Sequence, residues 1–466
     1  MFKRIVSLTL SFLMISSLLF AVSCGSQEET FDLDYHSEYV PDLNGLTFTW
    51  GSAWASQMYP TEGFSNDGDK MRAHYRKVEE ELGCKINIVQ WEQSSNRILS
   101  EVAAGRYSVD LLDNETKNGP VQLYKINMLV ALEDISTIDP YDEKFGPMRF
   151  RQYGIFNGKI YGVYQYEWDF PPEYAGALLF NSEMLSSLGI PLPYELQEND
   201  TWTWDNYKQY LRDIADAAQN SGFENSFIPH VSGDYSFDAL SFMFMNGCQV
   251  IEKDSSGKAV FGLDNQNAYA ALEYLNELYN ENLYKQAGSE VMIKNQMAAI
   301  LTIESYYGTH FHDGYNENYL PFQDYAYGFT TFPYGPNGDE TCVSGFVHTG
   351  RRLHFVVDYS QNDKDDIGIL LNELFEPIDE DGGWRGSLER QVFYDKRDYD
   401  MYRYMLENVN YDHSFTLGSA YSSLRNVFSS AVTGKKTPVE AFQSVRDAVD
   451  TEINKNGVVL FEDLFK

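Results

Sequence analysis

Trp54, Trp91 and Trp168 stand in polar loops, not in apolar stripes. Loop aromatics in such positions are candidates for binding. A flat ring covers the apolar C–H face of a sugar, and carboxylates and amides engage its rim of hydroxyls. Glu92 follows Trp91, Glu115 lies just past the strand-like run SVDLL (108–112), and Tyr166 lies two places before Trp168. Trp50 ends the alternating run LTFTW and is balanced between core and site. Trp204, among the apolar positions of a helix, reads as core, and Trp202 reads as packing. Aromatic residues make up 15% of the chain, with 34 tyrosines, more than a core of this size requires.

Other chemistries have weaker signals. Gly-x-Ser-x-Gly, His-Glu-x-x-His, Gly-x-x-x-x-Gly-Lys and Gly-x-Gly-x-x-Gly are all absent. With 69 Asp and Glu, close carboxylate pairs arise by chance, so spacing leaves a two-carboxylate glycoside hydrolase open. His310, His312 and Asp313 alternate in a loop and read as surface residues, not as metal ligands. Outside the amino-terminal segment the cysteines are Cys84, Cys248 and Cys342, an odd set without a Cys-x-x-Cys pair. Free buried thiols are expected, with no disulfide framework, no metal and no cofactor. A net charge of −34 repels phosphate backbones and anionic lipid, which excludes nucleic acid as a partner.

The elements that must position these residues follow from periodicity. LTFTW (46–50) alternates like a half-buried strand. Met71, Tyr75, Val78 and Leu82 recur at helical spacing, and Gly83 supplies a left-handed cap. CKINIV (84–89) reads as a strand, 95–104 as a helix closed by Gly105, and SVDLL as a third strand. Strand, helix, strand, helix, strand is the grammar of an α/β sheet with crossover helices. Further on, ALLFN (177–181) and AAILT (298–302) are apolar strands. Thr203 opens a helix with Trp204, Tyr207, Leu211, Ile214 and Ala218 on one face, and another helix covers 269–283. Thr437-Pro438-Val439-Glu440 is a capping box ahead of the stripe Phe442, Val445, Val449 and Ile453. The acidic stretch 363–366 and the segment 376–383 read as exposed loops.

The amino terminus reads as an export signal. Lys3 and Arg4 precede an apolar run from Ile5 to Val22, which ends in small residues at AVSC (21–24) before polar sequence begins. AVSC resembles a bacterial lipobox, which implies a signal peptide over 1–23, acyl chains on Cys24 and a polar tether over 24–43. The expected location is the cell membrane, held by lipid on its extracytoplasmic face.

The order of VEEELGCKINIV, AAGRYSVDLL, LVALEDIS, NGKIYGV, LLFNSEMLSSLGI, TWTWDNY, MAAILTIESYYG and TPVEAFQSV resembles the extracellular solute-binding proteins of ABC transporters, specifically the carbohydrate-type family related to maltose-binding protein. Two departures concern the ligand: Tyr164 stands where the family often has proline, and Tyr306 and Tyr307 where it often has tryptophan. The resemblance implies an α/β, two-lobed periplasmic-binding-protein-like fold of type II. It implies 44–172 plus 298–350 as lobe 1, 173–297 plus 351–466 as lobe 2, and a hinge of crossing strands that includes ALLFN and AAILT. It adds Tyr235, Tyr306 and Trp384 to the cleft. The expected function is capture of a small solute, a mono- or oligosaccharide, without catalysis, by a monomer that delivers it to ABC permease subunits. A lipid-anchored, carbohydrate-active enzyme using paired carboxylates and an adhesive surface lipoprotein are the alternatives.

Overall fold

The computed structural model describes residues 41–59, 61–63, 66–91, 95–106, 108–115, 120–165, 172, 174–223, 226–287, 296–303, 327–339, 341–347, 352–378, 393, 395–411 and 413–460. In chain order its principal strands are β1 (Thr47–Ser52), β2 (Lys85–Gln90), β3 (Leu111–Glu115), β4 (Gly162–Val163), β5 (Ala177–Asn181), β6 (Ile228–Ser232), β7 (Tyr284–Gln286), β8 (Ala298–Ile303), β9 (Tyr327–Thr330), β10 (Phe346–Val347), β11 (Arg352–Val356) and β12 (Asn410–Tyr411). The helices used below are α1 (Asn66–Glu81), α2 (Ser95–Ala103), α3 (Trp204–Asn220), α4 (Tyr235–Phe244), α5 (Gln266–Asn280), α6 (Lys364–Leu374), α7 (Lys396–Glu407), α8 (Ala420–Val432), α9 (Pro438–Gln443) and α10 (Arg446–Leu460).

Two five-stranded sheets organise the chain, in the orders β2-β1-β3-β11-β4 and β7-β6-β8-β5-β9. In each, three strands run parallel and an antiparallel strand lies beside them. The expected stripe of α1 holds: Met71, Tyr75, Val78 and Leu82 are all buried, against β1 and α6 residues such as Phe48, Ile367 and Leu371. Burying each such side chain contributes roughly 1.5–3 kcal/mol. The Thr437–Glu440 capping box is present in full. Its stripe continues through two helices, α9 and α10, with Phe442, Val445, Val449 and Ile453 buried.

Three expectations differ from the structure. The third strand begins at Leu111, not Ser108; just before it, Asp110 bonds Thr49 and Val357 through its backbone, and its carboxylate accepts from the Thr49 backbone N–H (2.7 Å). The acidic stretch at 363 is no loop. Asp363 caps α6 by accepting from the Asp365 N–H (2.8 Å), and Asp365 and Asp366 fill its first turn, where the helix dipole favours negative charge.

The third difference concerns the lobes. ALLFN is β5 and AAILT is β8, and they are neighbours inside the second sheet. Residues 298–303 and 327–330 therefore belong to the second sheet, and among the described residues the next strand of the first sheet begins at Arg352, where β11 pairs with β3. Buried Val356, Ile367, Leu370 and Leu371 join the core of Phe48 and Trp50. By sheet membership, the first sheet draws on described residues 47–163 and 352–356, and the second on 177–181, 228–232, 284–286, 298–303 and 327–330. A fully apolar strand bonded on both sides belongs within a sheet. The chain passes between the two sheets after Val163 and again before Arg352, and on the second-sheet side of both passages Ala175 and Phe346 exchange backbone hydrogen bonds of 3.0 and 2.9 Å. Gly176 beside Ala175 has φ +85°, and a Cβ there would fall 2.1 Å from the Ser344 carbonyl oxygen, so only glycine fits.

Candidate functional site

The register shows which sheet edges face the crossing. β11 begins at Arg352 opposite Glu115, and β4 ends at Val163 opposite His354, so the chain leaves and re-enters the first sheet at the carboxyl ends of its parallel strands. β5 starts at Ala177 opposite Ile303, and β9 ends at Thr330 opposite Leu178, so it meets the second sheet at the carboxyl edge too. Ligands of open α/β sheets bind at such edges.

At the first edge, β1 delivers Ser52 and Trp54, β3 delivers Asp113, and β11 delivers Arg352. The Ser52 hydroxyl donates to Asp113 Oδ2 (2.5 Å) and accepts from the Trp54 N–H (2.9 Å). Arg352 Nη1 reaches the same Asp113 oxygen at 3.4 Å, and its guanidinium lies 6.0 Å from the Trp54 ring centroid. Asp113 is fully buried and Trp54 is 43% exposed. The result is an open indole face beside a charge pair, anchored from below. Further in, His354 faces the edge of Trp50 at 4.8 Å and its Nε2 meets Gln165 Oε1 at 3.0 Å. Burial, with Arg352 nearby, pushes its pKa down to about 3, so the ring is neutral.

At the second edge, β6 runs into Asp234, which caps α4. Asp234 accepts from the Ser236 N–H (2.8 Å) and hydroxyl (2.6 Å), and from Arg425 Nη2 (3.0 Å) on α8. Burial alone would raise its pKa, but Arg425 and Ser236 outweigh that and hold it below the ordinary carboxylate value. Arg425 also lies over the Phe237 ring at 4.0 Å. Each edge thus carries an aspartate, an arginine and an aromatic ring, built from different elements. Tyr235 accepts the N–H of Gln286 at the end of β7 (2.7 Å).

Beneath this edge runs a buried polar chain. The Tyr207 hydroxyl bonds His230 Nδ1 (3.0 Å), His230 Nε2 bonds Thr302 Oγ1 (2.8 Å), and Thr302 Oγ1 bonds Asp238 Oδ2 (3.1 Å), which also accepts from Tyr284 (2.6 Å). Burial pushes the His230 pKa to about 3 and the Asp238 pKa up to about 7. Because the Thr302 hydroxyl donates to Asp238, a neutral His230 must donate from Nε2 and accept at Nδ1. Tyr207 donates to Nδ1, Nε2–H donates to Thr302, and Thr302 donates to Asp238.

Of the residues singled out from sequence, Trp54 alone among the described ones presents a broad exposed ring at an edge. Trp50 and Trp91 are buried. Trp91 is covered by the Arg97 guanidinium at 3.8 Å, so both rings face other side chains in place of a solute. Tyr235 lies at the second edge but is 7% exposed. Glu115 is the last residue of β3. Glu92, Tyr166, Trp168, Tyr306 and Trp384 lie outside the described residues, as do Cys24, His310 and His312. Sequence reasoning missed Ser52, Asp113, Arg352, Asp234 and Arg425. Only Asp113, two residues past SVDLL, had a signal, in the polar DNE that ends the apolar run.

This arrangement suits recognition better than acid–base chemistry. Asp113 and Asp234 each face an arginine, and Asp238, whose proton is tightly held, is buried beneath two hydroxyl donors. Cys84, Cys248 and Cys342 are free thiols. Among the described residues no cluster of three His, Cys, Asp or Glu is placed to hold a metal, and no helix is long and apolar enough to cross a membrane.

No protein-family model and no curated protein matches the chain. Solved structures do match. The cyclic α-maltosyl-1,6-maltose binding protein of Arthrobacter globiformis aligns with TM-score 0.64 and 12% identity, over 88% of this chain and 99% of that one. The GacH receptor of Streptomyces glaucescens, solved unliganded and with acarbose, gives TM-score 0.60 and 14% identity over 88% and 99%. UgpB of Mycobacterium tuberculosis, in complex with glycerophosphocholine, gives TM-score 0.61 and 10% identity over 88% and 99%. The fold is the two-lobed one shared by maltose-binding-protein-like binding proteins.

Proposed function

We propose that this chain is a solute-binding protein of an ABC importer, which takes a mono- or oligosaccharide between its two lobes and passes it to permease subunits. The observation that carries this reading is the pair of carboxyl edges, each with an aromatic ring beside a carboxylate–arginine pair. Trp54 supplies the stacking surface for C–H groups, and the polar partners supply donors and acceptors for hydroxyls. The ligand makes its binding energy with both lobes, so it favours the closed form, whereas the empty protein favours the open one.

The chain does no chemistry on its ligand in this reading. Its amino-terminal segment directs export, and lipid on Cys24 tethers it as a monomer at the outer face of the cell membrane. A thermal-stability scan against mono- and oligosaccharides, sugar acids, glycerophosphodiesters and amino acids tests the binding claim. A ligand at about a hundred times its Kd should add about 2.7 kcal/mol of stability. A shift with the ligand recovered intact supports the proposal. Turnover of the ligand would support the hydrolase reading instead, and no shift with any solute would sink both. Mass spectrometry of the mature amino terminus tests the anchor, which an unmodified Cys24 would exclude.

A further inference from the structure

The thiols of Cys248 and Cys342 lie on two segments that the fold lays against each other. Residues 245–249 follow α4, and residues 335–343 lead toward β10. The Gly335 N–H donates to the Met245 carbonyl (2.9 Å), and the Asn337 N–H donates to Asn246 Oδ1 (2.9 Å). The backbones approach so closely that a Cβ on Gly338 would fall 2.0 Å from the Met245 oxygen. The residues just after the two cysteines meet one side chain. Gln249 Nε2 donates to Asn410 Oδ1 (3.4 Å), while Asn410 Nδ2 donates to the Val343 carbonyl. Asn410 is itself fixed by its N–H to the Gly345 carbonyl (2.8 Å) and by pairing of β12 with β10. Cys248 is buried and Cys342 partly exposed, so one thiol is open to a reagent and the other is sheltered.

We propose that Cys248 and Cys342 form a redox-active pair that closes to a disulfide by exchange with a small-molecule disulfide. The Cys342 thiolate attacks one sulfur of oxidised glutathione, forming a mixed disulfide and releasing one glutathione thiolate. The Cys248 thiolate then attacks the Cys342 sulfur and releases the second. The protein loses two thiol protons and two electrons, and one oxidised glutathione becomes two reduced ones. Burial pushes the Cys248 thiol up to about 12, with Cys342 adding to the rise. Closure is therefore slow at neutral pH and quickens as pH rises. The cross-link fastens the segment leading to Phe346, which bridges Ala175, to the residues that follow α4, the helix capped by Asp234.

The full chain is incubated with a glutathione redox buffer at mildly alkaline pH, acid-quenched, alkylated unfolded and mapped by peptide mass. The expected product is a Cys248–Cys342 linked peptide with Cys84 still alkylated, reversed by dithiothreitol. Closing so long a loop should raise Tm by about 5 °C. Cys342→Ser should abolish the linked peptide and the Tm rise, and Cys84→Ser should leave both. A glutathione adduct that persists on Cys342, a link to Cys84, or Cys84, Cys248 and Cys342 all freely alkylated after exhaustive oxidation would each overturn the proposal.

Discussion

Asp238→Asn should flatten the pH dependence of stability in the second lobe. Burial lifts this carboxyl from an ordinary 3.8 to about 7. Its described neighbours, Tyr284, Thr302, neutral His230 and Asp234, include no cation, and Asp234 raises the pKa further. The folded chain thus holds this proton more tightly than the unfolded chain does. The stability so conferred is full below about pH 3.8 and is lost as pH rises through about 7, at about 1.4 kcal/mol per pH unit. Across the interval the loss amounts to about 4 kcal/mol. Asparagine keeps an oxygen for Tyr284 and Thr302 but has no proton to lose. Urea unfolding of both proteins, followed by far-ultraviolet circular dichroism at about pH 4.5 and about pH 8, gives the difference directly. The variant should gain about 3 kcal/mol relative to the parent between the two conditions. Asp398, also raised to about 7 by burial and accepting from the Phe329 N–H (2.7 Å), remains in both proteins as an internal reference. Parallel unfolding curves at the two pH values would refute the reasoning, because they would mean that Asp238 is charged in the fold with a cation or solvent beside it.

Three further outcomes follow from the same geometry. Trp54→Ala should weaken solute binding about tenfold to a hundredfold by calorimetry while leaving the Tm of the empty protein within about a degree, since its ring is an exposed stacking face. Trp50→Ala should do the reverse, costing about 3–5 kcal/mol in urea unfolding because the side chain is wholly buried against His354; a cost under about 1 kcal/mol would return Trp50 to the site. Arg352→Ala should cost about 3 kcal/mol by stranding the buried Asp113 carboxylate, and Asp113→Asn in the same chain should recover most of it; an unrescued loss would assign Arg352 a packing role instead.

What could be read from the sequence was what is local. The stripe of α1 and the capping box of α9 depend on residues within a few positions of one another, so their chemistry is written in order along the chain. The two sheets depend on pairing across long separations. AAILT announces a strand, but nothing within it says that its partners are β5 and β6 rather than strands of the first lobe. The site divides the same way. Exposure of the Trp54 ring was legible because polar neighbours mark its loop. Burial of Trp50 and Trp91 was not, because it is decided by His354 and Arg97 on other elements. Asp113 and Arg352 are far apart in sequence and meet only because β11 pairs antiparallel with β3. Asp234 and Arg425 meet because α8 packs on α4.

The charge pairs also bear on how two lobes of so acidic a chain come together. A net charge of −34 makes approach of two like-charged faces unfavourable, by about 1 kcal/mol for each exposed pair brought to about 4 Å in water. At both carboxyl edges the exception is built in: Asp113 and Asp234 are each neutralised by an arginine of their own lobe. Neither aspartate then carries an unmatched charge with which to repel the opposite edge. On the proposed reading this leaves closure to the solute. A guest that stacks on Trp54 and bonds across to the second edge supplies the differential affinity that the walls lack. A neutral, hydroxyl-rich guest does so without unbalancing either pair, whereas a charged one would have to compete with an arginine or an aspartate already engaged. Screening by salt should accordingly change affinity for a neutral sugar little, while a charged ligand held by breaking these pairs would show strong salt dependence.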